Sequence, residues 1–175
     1  MSQRVPKGEC QIMENNRDAM VDPEGSGEHI WFNGSPITIK VASADTGNAF
    51  DIVEVIGRGG NSTPLHVDPS CETFCVLEGA FLFHVAGKEV RATVGDLVVL
   101  PQGIPHALQL RSQVARALVL NVPGGHDRFF RAAGTPAPAA EIPPPGPPDM
   151  RRMKEAAQEF GIEILGPPPF RIPSS

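Results

Sequence analysis

The chain has few cysteines and no long hydrophobic segment. Its three cysteines, Cys10, Cys71 and Cys75, are an odd number, and the last two are spaced as neither a CxxC pair nor a zinc ribbon. This argues against a disulfide framework and favours reduced thiols. No apolar run approaches the roughly 20 residues that a membrane-spanning helix needs. The N-terminal residues MSQRVPKGECQIMENN lack the apolar stretch of a signal peptide. These absences predict a cytoplasmic protein without a membrane partner.

Basic charge is also scarce. Fifteen lysines and arginines stand against twenty acidic residues, for a net charge of −5. A nucleic-acid interface needs a basic patch, and the short cluster Arg151, Arg152 and Lys154 is interpreted as a solvated helix face. We therefore expect a small-molecule substrate as the partner and no nucleic acid.

Glycine and proline are both abundant but differently placed. The 18 glycines are spread through the centre, where they punctuate short strands, whereas many of the 19 prolines lie between residues 136 and 169. Late prolines are typical of an extended arm. The pattern predicts an N-terminal segment at 1–30, a β-rich domain at 31–122 and a helical, proline-rich arm at 123–175.

The β-rich domain is predicted from short runs bounded by glycine, proline, asparagine or serine. The predicted strands lie at residues 37–42, 50–57, 72–79, 80–87, 88–95, 96–101, 105–110 and 115–122. Strands at this spacing are typical of an all-β sandwich or barrel. Because the loops are short, neighbouring strands should be antiparallel.

Two helices are predicted in the arm, at residues 124–134 and 148–161. The second has a proline start, a glycine end and an apolar stripe of Met150, Met153, Ala157 and Phe160. We expect this stripe to dock on the barrel or on a partner subunit.

Two segments combine glycines with titratable side chains at regular spacing. They are GNSTPLHVDPSCETFCVLEG at 60–79 and GDLVVLPQGIPHALQL at 95–110. They resemble the two cupin motifs, G-x5-H-x-H-x3–4-E-x6-G and G-x5-P-x-G-x2-H-x3-N. With PGGHDRFF and FGIEILGPP in the arm, the chain is similar to single-domain bacterial cupins of the cupin_2 type, particularly quercetin-dioxygenase-like ones. The resemblance implies an all-β cupin double-stranded β-helix (a jelly-roll barrel) and a homodimer.

The match departs from the motifs at two positions. Asp68 stands where the family has a second histidine, and Leu110 replaces the closing asparagine. By resemblance, His66, Glu72 and His106 occupy metal-ligand positions. By the same resemblance, Asp68 occupies the fourth metal-ligand position, where it offers a carboxylate oxygen in place of an imidazole nitrogen.

Strand geometry supports the same set of side chains. Alternate residues share a face, so His66 and Asp68 should both point inward, and we expect His106 to come from across the barrel. Two imidazoles with carboxylates suit a divalent ion such as Fe, Mn, Ni or Zn. Asp68 has a shorter reach than histidine and could instead hold a water or a neighbouring ligand. The H-x-D…H order also occurs in 2-oxoglutarate-dependent oxygenases, but the glycines match the cupin motifs better.

A metal-free alternative remains open. Titratable groups in an apolar barrel are costly unless they are paired or bound to a metal. A buried Asp68 or Glu72 with a raised pKa, beside a histidine, could act as a catalytic acid–base pair.

Three functions follow from these alternatives. The first is a metal-dependent, dioxygenase-like oxygenase for a small hydrophobic or aromatic compound, with Asp68 and Glu72 near the reacting atoms. The second is an isomerase or cyclase of natural-product (polyketide) biosynthesis in which these two carboxylates move protons. The third is a non-catalytic cupin that binds a small molecule.

Three apolar residues are predicted to bind substrate: Phe74, Phe83 and Leu110, on or beside strands that face the cavity. Phe83 shares a strand face with Phe81, and the pattern leaves open which face is internal. His126 fits no ligand spacing and is predicted to be structural or exposed.

Overall fold

The computed structural model describes residues 19–144 and 146–170. In this part of the chain the strands and α-helices are β1 (Glu28–Phe32), β2 (Ser35–Val41), β3 (Asp51–Arg58), β4 (Leu65–Val67), β5 (Cys71–Glu78), β6 (Ala80–Val85), β7 (Lys88–Thr93), β8 (Leu97–Leu100), β9 (His106–Leu110), β10 (Val114–Val122), α1 (His126–Ala133), β11 (Thr135–Pro136), α2 (Met150–Glu159) and β12 (Glu163–Gly166).

The strands form two facing sheets. One has the order β11-β1-β2-β3-β10-β5-β8 and the other β12-β4-β9-β6-β7. The strand pairs are antiparallel, which confirms the predicted all-β jelly-roll barrel. The sheets extend beyond residues 31–122 on both sides, because β1 begins at Glu28 and the arm supplies β11 and β12.

The barrel core forms because alternate residues of each strand face the space between the sheets. Along β10, Ala115, Ala117 and Val119 are buried while their neighbours are partly exposed. Phe81 and Phe83 are fully buried, so their face of β6 is the internal one. Phe83 packs edge-on against Phe74, with 5.1 Å between ring centroids.

The helices dock on the barrel, as predicted for the second of them. Helix α2 is capped at its N-terminus by Asp149, whose side chain accepts a hydrogen bond from the backbone N–H of Arg152 at 3.0 Å. Its buried residues are Met153, Ala156 and Ala157, whereas Met150, the first residue of the predicted stripe, is 40% exposed. Ala156 and Ala157 join residues of α1 in a cluster against which Phe32 of the barrel packs.

The described helices do not combine the length and apolar character that crossing a bilayer requires. The homodimer stays a prediction.

The turn between β5 and β6 depends on Gly79. Its φ is +70°, and an added Cβ would collide with the backbone oxygen of Val114 in β10. Gly95 also has a positive φ, +90°, but nothing lies within 4 Å of its Cβ position. Gly79 is therefore required by both conformation and space, and Gly95 by conformation alone.

We expect Gly95→Ala to lower the free energy of unfolding by about 1–2 kcal/mol, the cost of the left-handed conformation. Gly79→Ala should lower the free energy of unfolding by clearly more, because the carbonyl of Val114 cannot move aside without disturbing the strand pairing of β10. Urea unfolding of both variants measures the difference. Equal losses would contradict the steric role of Gly79.

Candidate functional site

Four side chains with metal-ligating atoms meet where the two sheets approach each other. His66 lies in β4, Asp68 follows that strand, and His106 opens β9. Glu72 comes from β5 in the opposite sheet. One ligand atom from each of the four lies within 4.8 Å of all the others.

The two histidines are neighbours and do not face each other across the barrel. His66 and His106 are direct partners in the pairing of β4 with β9, and their ring centroids are 4.4 Å apart. The expectation that His106 reaches in from the far side was wrong, because motif spacing does not reveal which strands become adjacent. The predicted inward orientation of His66 and Asp68 is confirmed by their contact.

The donor atoms converge at short, similar distances. Oδ2 of Asp68 lies 3.0 Å from Nε2 of His66 and 3.1 Å from Nε2 of His106. Nε2 of His106 is also 3.0 Å from Oε2 of Glu72. Adjacent ligands of an octahedral ion with bonds of about 2.1 Å are separated by about 3.0 Å. The spacing of these atoms therefore matches the coordination sphere of a divalent ion.

Both imidazoles present the nitrogen that a metal would use. Nδ1 of His66 lies 2.8 Å from the carbonyl of Pro64, and Nδ1 of His106 lies 2.9 Å from that of Ile104. A ring whose Nδ1–H donates to a carbonyl carries the lone pair of the neutral form on Nε2. Both Nε2 atoms are thus directed at the shared position.

Two of the converging atoms lack a hydrogen-bond partner. Among the described residues, Nε2 of His106 and Oδ2 of Asp68 are buried and make no geometrically acceptable hydrogen bond, although they are close together. Buried polar atoms without partners are costly. A cation between them would satisfy both, so the donor set fits a metal ion.

Asp68 is surrounded by imidazoles, and this reverses the expected direction of its pKa. Burial alone raises the pKa of this carboxyl, but contacts with His106, His126 and His66 outweigh burial and hold it well below its usual range. The prediction of a raised pKa at Asp68 was therefore wrong. This carboxylate is ionised at neutral pH and has no proton to donate.

The histidines show the complementary effect. Burial lowers the pKa of His106, but contacts with Asp68 and Glu72 outweigh it and raise the pKa to about 10. His126 behaves similarly, because the same two carboxylates raise its pKa to about 9 against burial. In the metal-free protein, protons on these rings compensate the buried carboxylates.

His126 belongs to the site, which corrects its interpretation as merely structural or exposed. It is 5% exposed, and its Nε2 lies 3.2 Å from Oδ1 of Asp68 and 3.8 Å from Oε1 of Glu72. Neither motif contains this residue. The available signal was its place in GGHDRFF, directly after the last predicted strand.

An apolar cavity of about 110 Å³ adjoins the cluster. The barrel contributes Phe74 and Leu110 to its wall, while the arm contributes Met153 and Ile162. Phe83, the third predicted substrate residue, packs behind Phe74 in the core. No lysine or arginine occurs among the described residues that line this cavity.

Comparisons with known proteins agree with this architecture. Residues 52–123 match the family model described as the cupin domain. The chain is 29% identical over 144 residues to quercetin 2,3-dioxygenase of Bacillus subtilis, an alignment that covers 81% of this chain and 43% of that enzyme. The chain thus spans less than half of the length of this relative.

Two solved structures share the fold. A predicted oxalate decarboxylase from Thermotoga maritima has 21% identity and a TM-score of 0.52, covering 59% of this chain and 99% of that one. An RmlC-like cupin from Shewanella frigidimarina has 18% identity and a TM-score of 0.50, covering 60% of this chain and 89% of that one. Residues 52–123 thus match the Cupin_2 family model, the chain is similar to quercetin dioxygenase, and its barrel has the fold of these solved cupin structures.

Proposed function

We propose that the protein is a metal-dependent, dioxygenase-like oxygenase that acts on a small, neutral, hydrophobic or aromatic compound. The observation that carries the proposal is the convergence of His66, Asp68, Glu72 and His106 on one position beside an apolar cavity. The similarity to quercetin 2,3-dioxygenase supports the reaction class.

His66, His106, Asp68 and Glu72 would hold the ion. Two imidazoles and two carboxylates suit Fe, Mn, Ni or Zn, and the second oxygen donor favours the harder ions Mn and Fe. When bound, a redox-active ion supplies the one-electron chemistry that dioxygen requires. The two carboxylates neutralise its double charge, so the ion and its four ligands together would carry no net charge.

The protein side chains would bind and orient the substrate. The cavity is similar in size to cavities of about 150 Å³ that admit benzene and is smaller than the roughly 300 Å³ pockets of drug-sized ligands. Its apolar walls exclude water from the reacting atoms. Asp68 contacts three imidazoles, whereas Glu72 contacts His106 closely and His126 only at 3.8 Å. Glu72 is thus the carboxylate better able to accept a proton from a substrate hydroxyl.

A metal-free isomerase or cyclase is the second candidate, and the raised pKa values of His106 and His126 favour it. In that reaction the protonated rings would be the acids and Glu72 the base, since Asp68 stays ionised. Such a reaction needs no oxygen.

The metal prediction can be tested by titrating metal-free protein with Fe²⁺ or Mn²⁺ under anaerobic conditions. At pH 7 His106 is protonated, because its pKa is about 10, and only a neutral imidazole can bind the ion. We expect proton release on binding and an apparent affinity that rises up to about tenfold per pH unit towards pH 10. Calorimetry in buffers of different ionisation enthalpy measures the number of protons released on binding. Binding without any pH dependence would argue against His106 as a ligand.

The oxygenase itself is tested by comparing turnover in air and under argon. A panel of neutral monocyclic and bicyclic aromatic compounds is incubated with metal-loaded protein, and oxygen uptake is followed with product formation. We expect turnover to require both metal and oxygen, and His106→Ala to abolish it. Equal turnover under argon by the metal-free protein would instead support the isomerase or cyclase.

The third prediction is that the cavity binds a neutral ligand better than an anionic one. Because no lysine or arginine lines the described cavity wall and His126 is already paired with Asp68, phenol should raise the melting temperature more than benzoate, which has a similar ring and a carboxylate. A ligand that binds the native state stabilises it, and the stabilisation increases with the ratio of ligand concentration to Kd. Thermal unfolding of the metal-loaded protein at matched concentrations measures this. Stronger protection by benzoate would contradict a neutral substrate.

A further inference from the structure

His126 is held in place by a carboxylate of the barrel. Asp51 in β3 is completely buried. Its side chain accepts hydrogen bonds from the backbone N–H groups of Gly125 at 2.7 Å and His126 at 2.9 Å, and from Nδ2 of Asn121 at 2.6 Å. These bonds satisfy N–H groups at the start of α1 that have no partner within the helix. The first residue of α1 is thereby tied to the barrel wall.

The imidazole of His126 lies behind both carboxylates of the site. It contacts Oδ1 of Asp68 and, more distantly, Oε1 of Glu72. These are the outer oxygens, whereas the inner oxygens Oδ2 and Oε2 are the ones that approach the other histidines. The ring also packs against Phe129 and Phe130, with centroids 6.4 and 6.2 Å away. Its position is therefore constrained from both sides.

We propose that His126 is a positioning residue for the metal site, an inference that rests on the proposed metal function. By donating to the outer oxygen of Asp68, it keeps the inner oxygen directed at the position shared by Nε2 of His66 and of His106. An aspartate carboxyl rotates about a broad torsion, so an unsupported Asp68 would present its oxygen only part of the time. Partners of this kind raise metal affinity by orienting the ligand.

The arrangement also explains how the chain accommodates Asp68 where the related motif has a histidine. The shorter side chain has an oxygen left over on the side away from the metal position. The imidazole from α1 satisfies that oxygen. His126 would not itself coordinate the ion, because it stands outside the four residues whose ligand atoms converge.

The test compares Co²⁺ affinity among variants by calorimetry. His126→Phe keeps an aromatic ring but removes the donor, and we expect about 10- to 100-fold weaker binding. His126→Gln retains an N–H donor and should recover most of the affinity. His84→Phe removes a half-buried histidine of β6 that does not line the cavity, and it should bind like the wild type.

A double-mutant cycle separates positioning from a general structural effect. In the Asp68→His background there is no outer carboxylate oxygen at this position to hold. His126→Phe should therefore change the affinity less than about threefold there, and it should alter the Co²⁺ visible spectrum only when Asp68 is present. Equal losses in both backgrounds would overturn the inference.

The outcomes for the wild type distinguish this inference from the proposed function. A wild-type protein that binds no Co²⁺, Fe²⁺ or Mn²⁺ would overturn the metal function and this inference with it. A wild-type protein that binds Co²⁺, with the same affinity in His126→Phe, would overturn the role of His126 alone.

Discussion

The buried carboxylate of Asp68 is the interaction on which the site depends. It is 2% exposed, and three imidazoles from β4, β9 and α1 contact it. An isolated buried carboxylate costs several kcal/mol, so positive charge must accompany it. That charge can be protons on the histidines or a cation among the donor atoms. The two compete for the same nitrogen of His106, and the site is therefore sensitive to pH whichever function it performs.

The arm is part of this site and not an appendage to the barrel. Its strand β12 pairs with β4 and places Ile164 opposite His66, so the short strand that carries a ligand is supported on both edges. Helix α1 supplies His126, and α2 covers the cavity with Met153 and Ala157. The arm thus contributes, with the barrel strands, to both the small size of the cavity and its apolar character.

Local sequence patterns predicted most of the barrel because side-chain alternation and turn residues are local properties. Period-two geometry also predicted correctly that His66 and Asp68 share a face. The adjacency of His66 and His106 could not be predicted, since it depends on strand order. His126 was missed for a related reason: Asp51, which positions its backbone, lies 75 residues earlier in the chain. The direction of the Asp68 pKa was misjudged because it depends on the number of imidazoles that the fold assembles.

The two departures from the cupin motifs favour the same kind of substrate. Asp68 adds a carboxylate to the donor set, so a divalent ion there would be neutralised by its own ligands. Leu110 is 2% exposed and lines the cavity at the position where the motif has an asparagine. This part of the cavity wall is therefore apolar. An anionic substrate would lose its hydration in this cavity and find no lysine or arginine in return, while the protonated His126 is already paired with Asp68. A neutral molecule does not face that cost. The changed ligand and the changed wall are therefore consistent with each other, and together they favour selection of the substrate by charge as well as by size.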